Sequence, residues 1–209
     1  MRLLVVDDHP VVRRGILQIL TDSLRAVSIR EAASGEEALR VIRSEPLDVV
    51  VLDLGLPDRP GLEVLRTSRQ EKPDLPVLVL TMYDEESYAV RVLKAGAAGY
   101  LTKESAPTEL ASAIHKVVGG GRYVSQALAE QLAAHLGTAT DRPPHEALSD
   151  REFEVFCLMA KGKSLTEIAH ALFISVKTVS THRARILQKM NLGNNAELVQ
   201  YAVRHGLTG

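Results

Sequence analysis

Five times within the first 120 residues a short apolar run hands over to a stretch of helical period. "LLVVDD" leads into "PVVRRGILQIL", "SIREAAS" into "GEEALRVIRS", "DVVVLD" into "PGLEVLRTSRQ", "PVLVLT" into "EESYAVRVLKAG", and "GYLTK" into "PTELASAIHKVVGG". Parallel strands cannot be joined by a tight turn and need a crossover, so this beat predicts a five-stranded, doubly wound parallel α/β sheet covered on both faces. The run Val49, Val50, Val51, Leu52 fits that reading, because it lacks the alternation of a half-exposed strand. Pro10 suits the first turn of the first helix, where its missing N–H costs nothing.

After residue 120 the character changes. "RYVSQALAEQLAAHL" predicts one more helix, and the small residues and proline pair of "GTATDRPPHEA" mark a linker. From there on only helical patterns remain, over 150–161, 164–172, 176–190 and 195–205. The expected organisation is a first domain over 1–120, a linker with a helix over 121–146, and a small all-α four-helix domain over 147–209. Lys plus Arg number 25 and Asp plus Glu 26, so any signal for a charged partner has to be local. The single cysteine, Cys157 in "EVFCLMA", rules out an internal disulfide and reads as a small core residue. No stretch approaches the roughly 18 apolar residues of a membrane span. A soluble cytoplasmic protein is expected.

Four of the five predicted strands end on chemistry: Asp7 and Asp8 after the first, Asp53 after the third, Thr81 after the fourth, Lys103 just past the fifth. A lone aspartate after a strand is usually a turn former. With strand order 2-1-3-4-5, however, the first and third strands are neighbours at the switch point of the sheet, and Asp7, Asp8 and Asp53 converge there. Clustered carboxylates repel unless a cation lies among them, and Mg²⁺ suits an all-oxygen set shared with a phosphate. A carboxylate such as Asp53 can attack a phosphoryl group, with Thr81 donating to one phosphoryl oxygen and Lys103 neutralising another.

Through "VVDD", "VVVLDLGLP", "VLVLT" and "GAAGYLTK" the first domain resembles the receiver domain of bacterial two-component response regulators, a flavodoxin-like fold. The resemblance implies that Asp53 is the phosphoacceptor, served by a sensor histidine kinase. It implies that Asp7, Asp8, Asp53 and the backbone carbonyl of Gly55 hold Mg²⁺, and that Thr81, Lys103 and Tyr100 form the switch. The loop after the acceptor departs from the family pattern: "LPDRPGLE" has Asp58 where Gly is common and Pro60 where Asn or Asp is common, which adds charge and stiffness.

In the last domain "SLTEIAHALFISVKTVSTHRARILQKM" reads as a helix, a turn and a longer helix, with Ser164 and Glu167 as a capping box and Ser175 as the second cap. On the longer helix Val179, His182, Ile186 and Met190 should face the core, leaving Lys177, Ser180, Thr181, Ala184 and Gln188 on the other side. Lys177, Arg183, Arg185 and Lys189 make it basic, with no acidic residue between Glu167 and Glu197. That charge alone fits a solvated helix in a bundle as well as a helix in the major groove. The stretch 148–207 is similar to the LuxR-type helix-turn-helix through "LSDRE", "EIA", "IS", "KTV" and "H". Together the two resemblances imply a NarL/FixJ-class response regulator. It would be a phosphorylation-controlled transcription regulator that binds double-stranded promoter DNA through Lys177, Ser180, Thr181, Arg183, Ala184, Arg185, Gln188 and Lys189. It would form a homodimer through the last helix and show no enzymatic activity beyond slow self-phosphorylation and dephosphorylation of Asp53.

Competing readings are weaker. An aspartate-nucleophile phosphohydrolase usually needs a second acid two residues after the nucleophile, where Gly55 stands, and a dinucleotide-binding reading fails because no GxGxxG follows the first strand. An atypical regulator that binds DNA without regard to phosphate is opposed by the intact set Asp7, Asp8, Asp53, Thr81 and Lys103.

Overall fold

The computed structural model describes residues 1–25, 27–82, 85–125, 128–130 and 143–207. The chain divides into two compact units, Met1–Ala129 and Glu130–Gly209. In the first, strands β1 (Arg2–Val6), β2 (Ser28–Ala32), β3 (Val49–Leu52), β4 (Val77–Thr81) and β5 (Gly99–Thr102) alternate with helices α1 (Pro10–Ser23), α2 (Gly35–Ser44), α3 (Gly61–Glu71), α4 (Glu85–Lys94) and α5 (Ala106–Val118). The sheet is parallel throughout, in the order β2-β1-β3-β4-β5. Every residue of β3 and β4 is buried, which is why their sequences carry no alternation, whereas β2, at the edge, is mostly exposed. Leu3, Val5, Val49, Val51, Leu78 and Leu80 form one core face of the sheet, packed with Ile16, Leu20, Leu110 and Ile114 from α1 and α5.

The register places the chemistry. Val6 pairs with Leu52, and the Asp53 N–H donates to the Val6 carbonyl at 2.9 Å, so Asp7 and Asp53 leave adjacent strand ends at the same level. The other edge of the sheet is covered by residues from the stretch expected to be linker. The Tyr123 N–H donates to Ala98 O at 2.9 Å, and the Tyr100 N–H donates to Tyr123 O at 3.0 Å. A Cβ at position 99 would stand 2.7 Å from the Tyr123 carbonyl oxygen, so this close pairing requires Gly99. The helix expected over 122–136 falls largely on residues 126–127 and 131–142, outside the described residues.

The second unit has a 3₁₀ turn (Pro144–Ala147) and helices α6 (Asp150–Ala160), α7 (Leu165–Ala171), α8 (Val176–Lys189) and α9 (Asn195–Arg204). Each helix start is capped by a side chain, a contribution of about 1 kcal/mol apiece. Ser149 with Glu152 and Ser164 with Glu167 form capping boxes, Ser175 accepts from the Thr178 N–H, and Asn194 from the Glu197 N–H. Phe153, Phe156, Ile168, Leu172, Val179, Ile186, Met190, Leu198 and Ala202 are buried, as is Cys157. No described helix is long and apolar enough to cross a membrane.

Candidate functional site

At the carboxyl edge of the sheet, Asp7 and Asp53 are buried and Asp8 nearly so. Lys103, whose backbone N–H is tied to Thr81 O at 2.8 Å, sends its ammonium between two of them, 2.7 Å from Asp7 Oδ2 and 2.6 Å from Asp53 Oδ2. Burial alone would lower the Lys103 pKa, but the Asp53 and Asp7 carboxylates outweigh it and hold the ammonium above its ordinary value. The other Asp53 oxygen, Oδ1, accepts from the Leu54 N–H at 2.7 Å and, at 3.4 Å, from the Gly55 N–H. A Cβ at Gly55 would be 3.9 Å from Asp53 Oδ2, so the space beside the carboxylate is not crowded.

One donor atom from each of Asp7, Asp8, His9 and Asp53 lies within 4.8 Å of the others. Three carboxylates against one ammonium leave excess negative charge, and an oxygen-rich set of this kind suits a hard divalent cation. His9 was not singled out in the sequence. Its N–H donates to Asp7 Oδ1 at 2.8 Å, and its Nδ1 lies 2.7 Å from Asp8 Oδ1. Its place at the cap of α1 next to the acidic pair was the available signal. Thr81 ends β4 and Tyr100 lies in β5, and both are buried.

In the second unit, α7, the turn at Phe173 and α8 follow the helix-turn-helix pattern, with Phe173 at a φ of 53° in the left-handed region. Lys177, Ser180, Thr181, Ala184, Arg185 and Gln188 are exposed along α8, opposite the buried Val179, Ile186 and Met190. Two of the expected DNA contacts also bond within the unit. Arg183 Nε donates to Asn195 Oδ1 at 2.6 Å, joining α8 to the start of α9, and Lys189 Nζ donates to Glu152 Oε2 at 2.6 Å. Arg151 further locks the turn, donating to Glu154 at 2.7 Å and to the Leu172 carbonyl at 2.5 Å. His182 is half-buried, and burial together with Arg151 and Arg185 outweighs Glu152 and lowers its pKa.

The Lys189–Glu152 pair is structural. The Glu152 side chain is 4 % exposed and that of Lys189 42 %. Burial pushes the Glu152 carboxyl up, but hydrogen bonds from Lys189 and Ser149 outweigh it and hold it below the usual carboxylate range. Its contribution to stability is therefore present above the ordinary glutamate pKa and is lost as pH falls through the lowered value. Lys189→Ala should cost about 1–2 kcal/mol, discounted for the solvated lysine end. Lys177→Ala should stay within about 0.5 kcal/mol of wild type when both variants are unfolded in urea.

Comparison with known proteins follows both halves of this geometry. Residues 3–115 match the response regulator receiver domain, and residues 146–202 match the bacterial regulatory proteins of the luxR family. The chain belongs to the response regulators that join these two domains. This regulator is 38 % identical over 208 residues to the response regulator UvrY of Escherichia coli K12, covering 99 % of this chain and 95 % of UvrY. It is 40 % identical over 209 residues to the transcriptional activator protein ExaE of Pseudomonas putida, covering 99 % and 98 % of the two chains. Among solved structures it resembles RcsB of Salmonella enterica serovar Typhimurium bound to the promoter rprA in the presence of phosphomimetic BeF₃⁻, with a TM-score of 0.64, 28 % identity and coverage of 97 % and 98 %.

Proposed function

We propose that Asp53 of this two-component transcription regulator accepts a phosphoryl group from the phosphohistidine of a sensor kinase, and that the adduct controls promoter binding by the second domain. The observation that carries this reading is the convergence of Asp7, Asp8, Asp53 and Lys103 at neighbouring strand ends. An Asp53 oxygen attacks phosphorus, the bond to the imidazole nitrogen breaks, and the histidine leaves. The reaction is mainly one of positioning and charge stabilisation. The Leu54 and Gly55 amides orient the nucleophile, and Lys103 passes from its carboxylate partners to a phosphoryl oxygen. The oxygens of Asp7, Asp8 and Asp53, with the Gly55 carbonyl, would hold Mg²⁺, which neutralises charge between carboxylates and phosphoryl group.

Thr81, with its hydroxyl at the end of β4, and Tyr100, in the adjacent strand, serve as the switch. Thr81→Ala should therefore take up phosphate at close to the normal rate from acetyl phosphate but lose phosphate-induced dimerisation, measured by light scattering. Equal dimerisation in wild type and variant would reject that role.

In the second domain Lys177, Ser180 and Thr181 enter the major groove, with Ala184 and Gln188 following on the same face and Arg185 on the phosphate backbone. Arg183 and Lys189, engaged within the unit, add positive potential at its rim. The homodimer forms through α9, where Val203 remains 62 % exposed. Residues 1–120 and 147–209 act as separate domains joined by 121–146, the first residues of which pair with the edge of β5, and the protein works in the cytoplasm, where kinase and DNA meet. Incubation with acetyl phosphate and Mg²⁺, intact mass, and sequencing of captured genomic fragments test the reading together. Absence of both adduct and enriched sites would reject it.

A further inference from the structure

The geometry points to Asp58 as a positioning residue that holds the acceptor loop, and with it the Gly55 carbonyl, against α2. This role rests on the reading of Asp53 as phosphoacceptor. Residues 54–60 connect that aspartate to α3, and both ends of the loop are closed. At one end the Leu54 N–H donates to Asp53 Oδ1. At the other, the Gly61 N–H donates to Leu54 O at 3.0 Å, and a Cβ at Gly61 would come within 2.5 Å of Asp53 O and Leu54 Cα.

Between these ends the loop is tied to a part of the chain far away in sequence. Asp58 Oδ1 accepts from the Gly35 N–H at 2.8 Å and Oδ2 from the Glu36 N–H at 2.7 Å. Those amides belong to the first turn of α2, where no helical carbonyl is available to them. Ser34 accepts from the Glu37 N–H and the Glu37 carboxylate from the Ala33 N–H, so Asp58 supplies the acceptors that the local cap leaves out. Two charge-assisted bonds to separate amides fix both the position and the orientation of the carboxylate. The approach is close: a Cβ at Gly35 would stand 2.6 Å from Arg59 Cγ, and the Arg59 guanidinium lies 3.1 Å from Glu63 and 4.0 Å from Glu36. Pro57 and Pro60 stiffen the backbone on either side. Asp58 thus restrains, through the loop, the two groups next to the nucleophile: the amides that orient Asp53 and the carbonyl assigned to the metal.

The test measures the Mg²⁺ concentration for half-maximal labelling of Asp53 by acetyl phosphate in the full chain, by intact mass. Partners that orient metal ligands affect affinity on the order of tenfold or more. Asp58→Ala should therefore raise the midpoint about tenfold, while labelling at saturating Mg²⁺ returns to near the wild-type extent. Asp58→Asn keeps one acceptor oxygen and should fall between the two. A Mg²⁺ titration without phosphate donor, followed through the Leu54 and Gly55 amide resonances, should show the same order of midpoints. Loss of folding alone would lower labelling at every Mg²⁺ concentration without this displacement. If Asp58→Ala does not fold, Asp58→Asn decides. An unchanged midpoint in the folded variants, with wild type labelled on Asp53, overturns the role of Asp58 and leaves the acceptor standing. An unlabelled wild type overturns the acceptor reading and this role with it.

Discussion

Asp53→Asn should take up no phosphoryl group from acetyl phosphate under conditions in which the wild type is expected to form an acid-stable, alkali-labile, Mg²⁺-dependent adduct. An amide oxygen is not a nucleophile at neutral pH, so the loss should be complete and not a partial slowing. The variant should remain folded, because its side chain is nearly isosteric and Lys103 keeps Asp7 at 2.7 Å as a partner. Asp8→Ala, in contrast, should still be labelled but require more Mg²⁺, since it removes a ligand charge and not the nucleophile. Intact mass before and after alkali reads both outcomes. Uptake by Asp53→Asn at the wild-type rate would place the acceptor elsewhere.

The second large effect lies on α8. Replacing Lys177, Ser180 and Thr181 together by alanine should flatten sequence preference across a randomised half-site, each lost base-edge contact costing on the order of 1–3 kcal/mol. These residues are exposed near the helix start, and Thr181 Oγ1 bonds only within its own helix, to Lys177 O at 3.0 Å, among its described hydrogen bonds. Arg185→Ala should instead weaken all sequences alike and reduce the salt slope. Because Lys189 is committed to Glu152, its removal should show more in stability than in the salt slope. Binding of the labelled library at several salt concentrations separates these cases. Unchanged preference in a folded triple variant would show that α8 does not read the sequence.

The parts legible in the sequence were those written locally. The strand and helix beat, the cap at Ser164 with Glu167, and the polar residues at consecutive strand ends all lie within a few residues of the feature they define. The strand order then brought Asp7 and Asp53 together, because a parallel sheet aligns its carboxyl ends. What could not be read were partnerships across long separations. The sequence marked Asp58 as an unusual charge but gave no hint that its partners are amides at residues 35 and 36. Lys189 looked like one more cation on a basic face until folding brought it to Glu152, and Arg183 until it met Asn195. Tyr123 read as the start of a linker helix, whereas its backbone pairs with the edge of β5, a bond available only once Gly99 is in place.

Coupling between the two domains should show itself as a difference in DNA affinity with and without phosphate. Anisotropy titration of a captured promoter fragment, at fixed salt and Mg²⁺, compares wild type and Asp53→Asn before and after treatment with acetyl phosphate. Allosteric coupling of typical size predicts that treated wild type binds at least about fivefold more tightly than untreated, while Asp53→Asn does not respond. Equal affinity of labelled and unlabelled wild type, or an equal response in Asp53→Asn, would contradict it.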